Sequence, residues 1–340
     1  MAIRKKKVLK IILGLAITIV LFNVISIIGV HIAYTKVFSR ADYDKYNSKY
    51  CYKYGEIDTE KYKRRVLSIT SGKNKLSAYL YGQDNGKGLI IISPGHRDAS
   101  DIKLPEITYF VDKGWRVLCY DYTGCYGSEG SNMVGYIQAP KDLDAVLDYV
   151  EKDSRFDGLP IMLFGHSLGG YASTAVLQYG HDITSVVAAS GFDSPMEQWG
   201  YSIKRYTGIL GDIMGQYGKV YIRVKFGNMA RFSAINGINS TSIPVLLMQG
   251  TTDEFYGNVS SIYEHRDKIS NSNCIIRVMD KENHHGHYDY FLSDAAVTYR
   301  KDVASGKVDK NKPIDKFLYE DINNETMDYI NDFFVNSLPD

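Results

Sequence analysis

Short apolar runs alternate with helical patterns along most of the chain after residue 65. The apolar runs predict β-strands at 66–70, 76–81, 88–94, 115–120, 159–164, 184–190, 243–248 and 274–279. Helical patterns follow at 104–113, 140–152 and 167–179. Strands that are buried on both faces and separated by helices are typical of a parallel sheet with right-handed crossovers. The pattern therefore predicts a three-layer α/β fold whose first two strands form a hairpin.

One segment interrupts this alternation. Residues 195–239 lie between two predicted strands and are too many for an ordinary connection. The segment is rich in aromatic and aliphatic residues, among them Trp199, Leu210, Tyr221 and Phe232. We interpret it as a helical cap, at about 195–240, that folds over the C-terminal edge of the sheet.

The N-terminus has the pattern of a transmembrane anchor. A basic cluster at 4–7 precedes a run from Ile11 to Ala33 that contains no Asp, Glu, Lys or Arg. With a rise of about 1.5 Å per residue, a helix of this length can cross a hydrocarbon core of ~30 Å. Because basic residues favour the cytoplasmic side, we expect a single-pass protein of the cell membrane with a cytoplasmic N-terminus and the predicted α/β domain on the extracytoplasmic side.

A cleaved signal peptide is the alternative to an anchor. Its apolar region would usually be only about 7–15 residues long and would end at a small-x-small site. The flanking residues 30–36 offer no clear site of this kind, so we favour a retained anchor. The polar, Tyr- and Lys-rich stretch 34–65 has no apolar period and is interpreted as a solvated stalk. The predicted organisation is therefore an anchor at 1–33, a stalk at 34–65 and an α/β domain at 66–340.

Composition and charge narrow the range of partners. Of the 340 residues, 44% are hydrophobic and 23% charged, as in a globular protein with a sizeable core. Forty basic and 39 acidic residues give a net charge of +1, which does not indicate a nucleic-acid partner. The four cysteines include no C-x-x-C pair, so a zinc site of the usual spacing is not expected. A disulfide is possible outside the membrane, but Cys119 and Cys274 fall in apolar runs and are expected to be buried free thiols.

The most informative motif is the glycine-rich turn in 160–170, PIMLFGHSLGG. It indicates a buried strand, a tight turn with Ser167 at its tip, and a helix. This G-x-S-x-G arrangement is a nucleophile elbow, which exposes a serine hydroxyl at the top of a sheet. Gly165 and Gly169 are needed because a side chain at either position would collide with the neighbouring strand and helix. A helix-capping serine is the alternative, but the flanking strand and helix favour the nucleophile.

Acyl transfer also needs a base to accept the proton of the serine and an acid to orient that base. We expect both later in the chain. Asp253 lies just past the predicted strand 243–248 and is the candidate acid. Its neighbour Glu254 is an alternative, and Asp193, just past the preceding strand, is a weaker rival.

The base is expected in the histidine-rich segment 283–291, where His284, His285 and His287 compete. A metal site is the alternative interpretation. However, neighbouring histidines of one loop seldom point the same way, and no ligand-spaced Cys or Glu accompanies them. We favour His287, because Gly286 permits a sharp turn before it and an aromatic run follows it. His285 stays as the alternative base.

Two backbone N–H groups are candidates for an oxyanion hole. One belongs to Leu168, the residue after the nucleophile. The other belongs to His96, in the loop after the strand 88–94, where Gly95 allows a turn. The His96 imidazole precedes Ser167 on a different strand, so it is interpreted as shaping this loop and not as the base.

Together these motifs resemble the α/β-hydrolase superfamily over roughly residues 66–338, with the serine, acid and histidine in the order Ser…Asp…His. The segment 121–130, DYTGCYGSEG, is similar to the D-x-R-G-x-G-x-S loop of that family, with Thr123 in place of the arginine. The common His-Gly oxyanion motif is Pro94-Gly95 here. Gly286-His287 followed by Ser293 resembles the branch of monoacylglycerol lipases, serine aminopeptidase-like hydrolases and membrane-anchored bacterial homologues, which supports His287.

The resemblance implies a serine hydrolase without metal or organic cofactor. We expect hydrolysis of a carboxylic ester through an acyl-enzyme, and the apolar cap and nearby bilayer suit a small-molecule or lipid ester. A peptidase, an amidase, a thioesterase or an acyltransferase would use the same machinery. A non-catalytic, membrane-anchored binding module is the alternative from another class of protein. The oligomeric state is not predictable from these features.

Overall fold

The computed structural model describes residues 2–42, 49–253, 260–309 and 312–339. Its centre is a single eight-stranded β-sheet. The strands are β1 (Arg64–Ser71), β2 (Asn74–Tyr81), β3 (Leu89–Ser93), β4 (Arg116–Tyr120), β5 (Ile161–His166), β6 (Ser185–Ala189), β7 (Val245–Gly250) and β8 (Cys274–Met279). Each of the eight predicted strands is present, with boundaries shifted by a few residues at most.

The strand order in the sheet is β1-β2-β4-β3-β5-β6-β7-β8. Strand β2 pairs antiparallel with β1 and β4, and the remaining neighbours pair parallel. The predicted hairpin and the predicted parallel core are thus confirmed. Because the carboxyl ends of the parallel strands share one edge, the loops after β3, β5, β7 and β8 meet there.

Helices cover both faces of this sheet. They are α1 (Ala2–Val37), α2 (Leu104–Asp112), α3 (Gln138–Lys152), α4 (Leu168–Ala175), α5 (Pro195–Thr207), α6 (Ile209–Phe226), α7 (Ala234–Asn239), α8 (Asp294–Ala304), α9 (Lys316–Tyr319) and α10 (Asn324–Asn336). The sequence analysis does not predict α8, α9 and α10, which follow the last strand. The predicted three-layer α/β architecture is confirmed.

Alternate residues of the central strands face two separate hydrophobic clusters. Leu89 and Ile91 of β3 pack in the larger cluster, with residues of α3, α4 and the cap helices. Ile90 and Ile92 pack in the second cluster, with residues of α2 and α10. This alternation explains the continuous apolar run of β3, because both faces of the strand are buried.

The cap segment folds into α5, α6 and α7, as its apolar residues predict. Small residues allow α5 and α6 to pack closely. An added Cβ at Gly215 would lie 3.4 Å from the Cα of Gly200, and one at Gly218 would collide with the indole of Trp199. Trp199 is fully buried between the two helices and the sheet domain.

The N-terminal helix α1 is long and apolar enough to cross a membrane. The stretch Lys6–Val37 contains a window with a mean hydropathy of 2.8, none of which is buried within the protein. Every residue at 6–22 is exposed, and partly buried positions begin at Asn23. The fold therefore leaves the first half of the apolar run without protein contacts.

The residues after the anchor differ from the expected solvated stalk. Tyr34, Phe38 and Ala41 are each at most 2% exposed and join the larger hydrophobic cluster. With Val30 they form one side of the chain at spacings of four, four and three residues. The sequence analysis overlooks this period because lysines and serines separate the aromatic residues. The boundaries at 33/34 and 65/66 stay predictions.

All four cysteines are unpaired. Cys51, Cys119 and Cys125 are buried, and Cys274 is half-buried. The thiols expected at Cys119 and Cys274 are therefore free, and Cys274 is less deeply placed than expected.

Candidate active site

Ser167 lies at the turn between β5 and α4, with φ 60° and ψ −118°. Non-glycine residues rarely adopt this conformation, which costs on the order of 1–3 kcal/mol. The surroundings hold it in place, since the Ser167 N–H donates to the carbonyl of Ala189 on the adjacent strand β6 at 2.9 Å. The strained turn presents the serine at the carboxyl edge of the sheet, where its side chain lines a cavity.

The two glycines of the motif are required by close backbone approaches. A Cβ at Gly165 would collide with the carbonyl of Gly169 in helix α4. A Cβ at Gly169 would collide with the carbonyl of Ser93 at the end of β3. Strand and helix thus approach too closely for any side chain, as the sequence analysis expects.

An acid–base pair lies beside the elbow. The Nδ1 atom of His287 is 2.9 Å from Oδ2 of Asp253, and both side chains are largely buried, at 14% and 4% exposure. Because a carboxylate only accepts, Nδ1 is the donor and Nε2 of the neutral ring is the acceptor. His287 lines the same cavity as Ser167.

Polar neighbours hold the carboxylate of Asp253. Gln249 donates to Oδ2 at 3.1 Å, and Ser190 also interacts with this carboxylate. Burial alone would raise the pKa of Asp253, but the hydrogen bond and charge of His287 lower it overall. The aspartate therefore stays ionised next to the imidazole. Ser190 in turn contacts the Tyr290 hydroxyl at 2.9 Å.

The other two histidines of this loop have different surroundings. His284 is 2% exposed, and its ring contacts the carbonyl of Asp289 at 3.0 Å and Oδ1 of Asp294 at 2.5 Å. The Nδ1 atom of His285 lies 3.5 Å from the Thr251 hydroxyl. Neither ring lines the cavity of Ser167, so the structure brings only His287 of the three to the elbow.

The alternative acids are placed as follows. Asp193 accepts from the backbone N–H of Ile235 at 2.9 Å and groups with Glu197 and His265 on the cap side. It therefore faces away from His287. Glu254 lies outside the described residues.

A further histidine, His166, supports the pair and was not singled out by the sequence analysis. Its Nε2 lies 2.8 Å from the backbone carbonyl of His287, and the two ring centroids are 4.7 Å apart. Burial, followed by the neighbouring charge of His287, lowers the pKa of His166 well below its ordinary value. A neutral ring that donates through Nε2 holds the main chain of His287. Its position directly before Ser167 is the only sequence signal for this contact.

The loop after β3 approaches Ser167 closely. An added Cβ at Gly95 would lie 3.7 Å from Cβ of Ser167. The ring of the next residue, His96, packs edge-on against Phe38 and Tyr136, at 5.6 and 5.9 Å. Burial lowers the pKa of His96 to about 4, so its ring is neutral. These contacts agree with a loop-shaping imidazole.

Leu168 is the first residue of α4. The N–H groups of the first turn of a helix have no partner within that helix and point outward from its N-terminus. The Leu168 N–H therefore lies beside the serine, on the same cavity as the loop of His96.

The cavity has a volume of about 760 Å³ and two chemically different sides. Its apolar side contains Val37, Tyr136, Leu168, Phe192, Trp199 and Ile203. Its polar side contains Asp98, Lys103, Tyr288, Arg300 and Glu320. The sequence analysis did not identify this polar side, since its residues come from distant segments and form no motif.

Ion pairs organise the polar side. Arg300 contacts Glu320 at 2.8 Å, and Lys103 contacts Glu106 at 3.0 Å. Burial raises the pKa of Glu320 to about 7, although Arg300 opposes the shift. Burial likewise raises the pKa of Asp98. This side of the cavity therefore holds carboxyl groups that bind protons more readily than exposed ones.

Thr123, which replaces the arginine of the resembled loop, binds a buried carboxylate. Its N–H and its hydroxyl donate to Asp142 at 2.8 and 2.9 Å. Asp142 also accepts from Ser71 and Gln138. The loop is thus held to helix α3 through Thr123 and Asp142, without an arginine.

Two groups of side chains among the described residues have a spacing that could suit a metal ion. They are Asp144, Asp148 and His181, and Asp193, Glu197 and His265. Neither group includes a histidine of the 284–287 loop, so the metal interpretation of that loop gains no support. The expectation of no cofactor stays a prediction.

Residues 84–233 match a protein-family model described as "Serine aminopeptidase, S33". This segment contains the elbow, the loop after β3 and most of the cap. No curated protein sequence matches the chain.

Solved structures share the fold. An esterase of Pyrococcus furiosus, Pf2001, has a TM-score of 0.55 and 17% identity, over 79% of this chain and 97% of its own. Est1E from Butyrivibrio proteoclasticus, solved with ferulic acid bound, has a TM-score of 0.50 and 20% identity, over 72% and 100%. An α/β-hydrolase from Vibrio vulnificus has a TM-score of 0.51 and 16% identity, over 73% and 83%. These similarities show an α/β-hydrolase fold.

Proposed function

We propose that the chain, which has an α/β-hydrolase fold and matches a serine aminopeptidase family model over residues 84–233, is a serine hydrolase that cleaves carboxylic esters. Ser167 is the nucleophile, His287 the general base and Asp253 the acid that orients the base. The observation that carries this proposal is the 2.9 Å contact between His287 and Asp253 at a cavity that Ser167 also lines.

The proposed reaction begins when Oγ of Ser167 attacks the ester carbonyl and Nε2 of His287 accepts its proton. The imidazolium then donates this proton to the departing alkoxide, which leaves as an alcohol. Water, deprotonated by the same imidazole, attacks the acyl-enzyme and releases the carboxylic acid. Asp253, held ionised, stabilises the imidazolium in both steps.

The oxyanion that forms in each step needs N–H donors. In our proposal, these are the backbone N–H groups of Leu168 and His96. A preorganised donor of this kind contributes about 3 kcal/mol to transition-state stabilisation. The proximity of Gly95 to Ser167 supports the second donor, because it brings the loop next to the reacting carbon.

The apolar side of the cavity supports a substrate with a hydrophobic acyl or alcohol group, such as a lipid ester. The structural neighbours include esterases, and one of them binds ferulic acid, which supports small esters as substrates. The N-terminal helix supports a retained membrane anchor, with the catalytic domain on the extracytoplasmic side.

An amide or peptide substrate is the second candidate, favoured by the description of the matching family as a serine aminopeptidase. The acidic groups Asp98 and Glu320 on the polar side of the cavity are suited to contact an amine. Turnover of aminoacyl p-nitroanilides above that of p-nitrophenyl esters would favour this candidate. We expect the esters to be the better substrates.

Labelling with a fluorophosphonate probe tests the nucleophile. We expect the wild type to be labelled and Ser167→Ala to be unlabelled. Ser68→Ala, at an exposed position of β1, is the control and should be labelled like the wild type. Persistent labelling of Ser167→Ala, with the fold intact by circular dichroism, would show that another residue is the nucleophile.

A further inference from the structure

The cap helix α6 has an apolar stripe that no part of the described protein covers. Leu210, Ile213, Val220 and Val224 are 62%, 47%, 58% and 81% exposed. Their spacing places them on one side of the helix, in a row that also includes Tyr217. Charged residues occupy the adjoining side instead, namely Asp212, Lys219 and Arg223. Exposed apolar surface of this extent commonly marks an interaction site.

This stripe lies beside the N-terminal helix. Tyr217 donates to Oδ1 of Asn23 at 2.8 Å, and its ring meets Phe22 at a centroid distance of 6.4 Å. One turn further along α6, the Tyr221 hydroxyl contacts Nδ1 of His31 at 2.8 Å. The helices α1 and α6 therefore pack side by side, and the stripe continues the apolar surface of α1.

The position of the contact along α1 determines where α6 lies relative to a bilayer. A helix needs about 20 residues to span the hydrocarbon core. Any window of that length within residues 8–33, where Lys10 is the one residue among Asp, Glu, Lys and Arg, includes Asn23, with at least about four residues between Asn23 and the outer boundary. At about 1.5 Å per residue, Tyr217 thus lies roughly 6 Å or more below that boundary.

We propose that α6 is a membrane-docking helix, whose stripe inserts into the acyl-chain region of the bilayer leaflet next to the sheet domain. An interfacial amphipathic helix typically enters a leaflet by about 5–10 Å, which agrees with this depth. Because Tyr217 contacts Asn23 and Tyr221 contacts His31, α6 runs in the same direction as α1, and the first turns of α6 lie deepest. Near the start of the helix, Asp212 is paired with Lys204 at 2.9 Å, which reduces the cost of placing it close to the bilayer.

Docking has a consequence for the cavity, which rests on the proposed hydrolase function. Lys36 and Val37 of α1 line the cavity together with Ile203 of the cap helix α5. Helix α6 packs against both α1 and α5, so the docking surface adjoins two elements of the cavity wall. An ester-bearing lipid in this leaflet would reach Ser167 along that wall without crossing water.

Depth-dependent quenching in the full-length protein tests the docking. Ile213→Trp places a reporter in the stripe, one turn deeper than Tyr217, and Asp212→Trp is the matched control on the charged side at the same depth. The native Trp115 and Trp199 are fully buried, so the wild-type emission serves as the background. The protein is reconstituted in phosphatidylcholine vesicles whose acyl chains are brominated.

We expect brominated chains to quench the added emission of Ile213→Trp at least about twofold more than that of Asp212→Trp. Leu210→Trp, in the stripe, should behave like Ile213→Trp and serves if that variant does not fold. Equal quenching on the two sides of α6, or none on either, would overturn the proposal.

A second measurement separates docking from catalysis. In a Leu210→Ser/Ile213→Ser variant, we expect the ratio of turnover of a vesicle-borne ester to turnover of a soluble p-nitrophenyl ester to fall several-fold. An unchanged ratio would overturn delivery from the leaflet. If the wild type hydrolyses neither ester, the proposed function fails, and the quenching result still decides the docking.

Discussion

Removal of the charge of Asp253 is the sharpest test of the proposed mechanism. Asp253→Asn keeps the size of the side chain and an oxygen acceptor, so the loop should keep its shape. It removes the negative charge that faces the imidazolium formed in the transition state. For unit charges about 4 Å apart and an effective dielectric constant of about 20, this interaction is worth about 4 kcal/mol.

A loss of that size corresponds to a decrease of roughly 10³-fold in kcat/KM. Hydrolysis of a p-nitrophenyl ester at neutral pH measures it directly. Because Asp253 is only 4% exposed, solvent can do little to replace the lost charge. We expect thermal unfolding to change much less than activity.

Asp193→Asn is the matched control, since Asp193 is also an aspartate that follows a parallel strand, and it is half-buried. Its carboxylate binds the backbone N–H of Ile235 and does not face His287. We expect its kcat/KM to stay within about threefold of the wild type. Wild-type activity in Asp253→Asn, or a larger loss in Asp193→Asn, would refute the assignment of the acid.

Three further predictions follow from the contacts. His287→Ala should abolish ester turnover and His285→Ala should not; the reverse result in a p-nitrophenyl ester assay would make His285 the base. Phe38→Ala should lower the free energy of unfolding by about 3–5 kcal/mol, measured by denaturant titration, because a fully buried ring is lost. Glu320 has its pKa raised to about 7, so its contribution to stability is present below its ordinary pKa of 4.5 and is lost as the pH rises through about 7. Melting temperatures of wild type and Glu320→Gln should therefore diverge over this range, with the wild type losing stability relative to the variant; parallel profiles would contradict the shift.

The sheet is predictable because a strand that is buried on both faces needs apolar residues at nearly every position. The runs that become β3 and β5 are almost entirely apolar, and both strands are buried at every position. The elbow is predictable for a related reason. Gly165 and Gly169 are required because a Cβ at either position would collide with backbone atoms. The presence of both glycines in the sequence therefore predicts the close packing of strand and helix.

The selection among the three histidines is harder to predict, because long-range contacts orient the rings. His284 is held by Asp294 at the start of α8, a helix that the sequence analysis does not predict. His287 is held by Asp253 and, through its carbonyl, by His166. Only the folded loop shows which ring reaches the cavity.

The polar side of the cavity could not be predicted from the sequence either, because it also depends on long-range contacts. Lys103, Arg300 and Glu320 meet across distant segments, and each looks like an ordinary surface charge in the sequence. The burial of Tyr34 and Phe38 is a different case. Val30, Tyr34 and Phe38 follow one another at intervals of four residues. This period is hard to recognise in the sequence because polar residues lie between them.

Phe38 and Ser39, which follow the N-terminal helix α1, contact the proposed oxyanion loop. Phe38 packs on the ring of His96, and the Arg97 guanidinium donates to the carbonyl and hydroxyl of Ser39 at 3.2 and 3.0 Å. The backbone of His96, which we propose as a donor, thus lies between two residues fixed by the end of the anchor. These contacts link the proposed oxyanion loop to the end of the N-terminal helix. In this fold, the helix that we propose as the membrane anchor also lines the cavity of Ser167, through Lys36 and Val37.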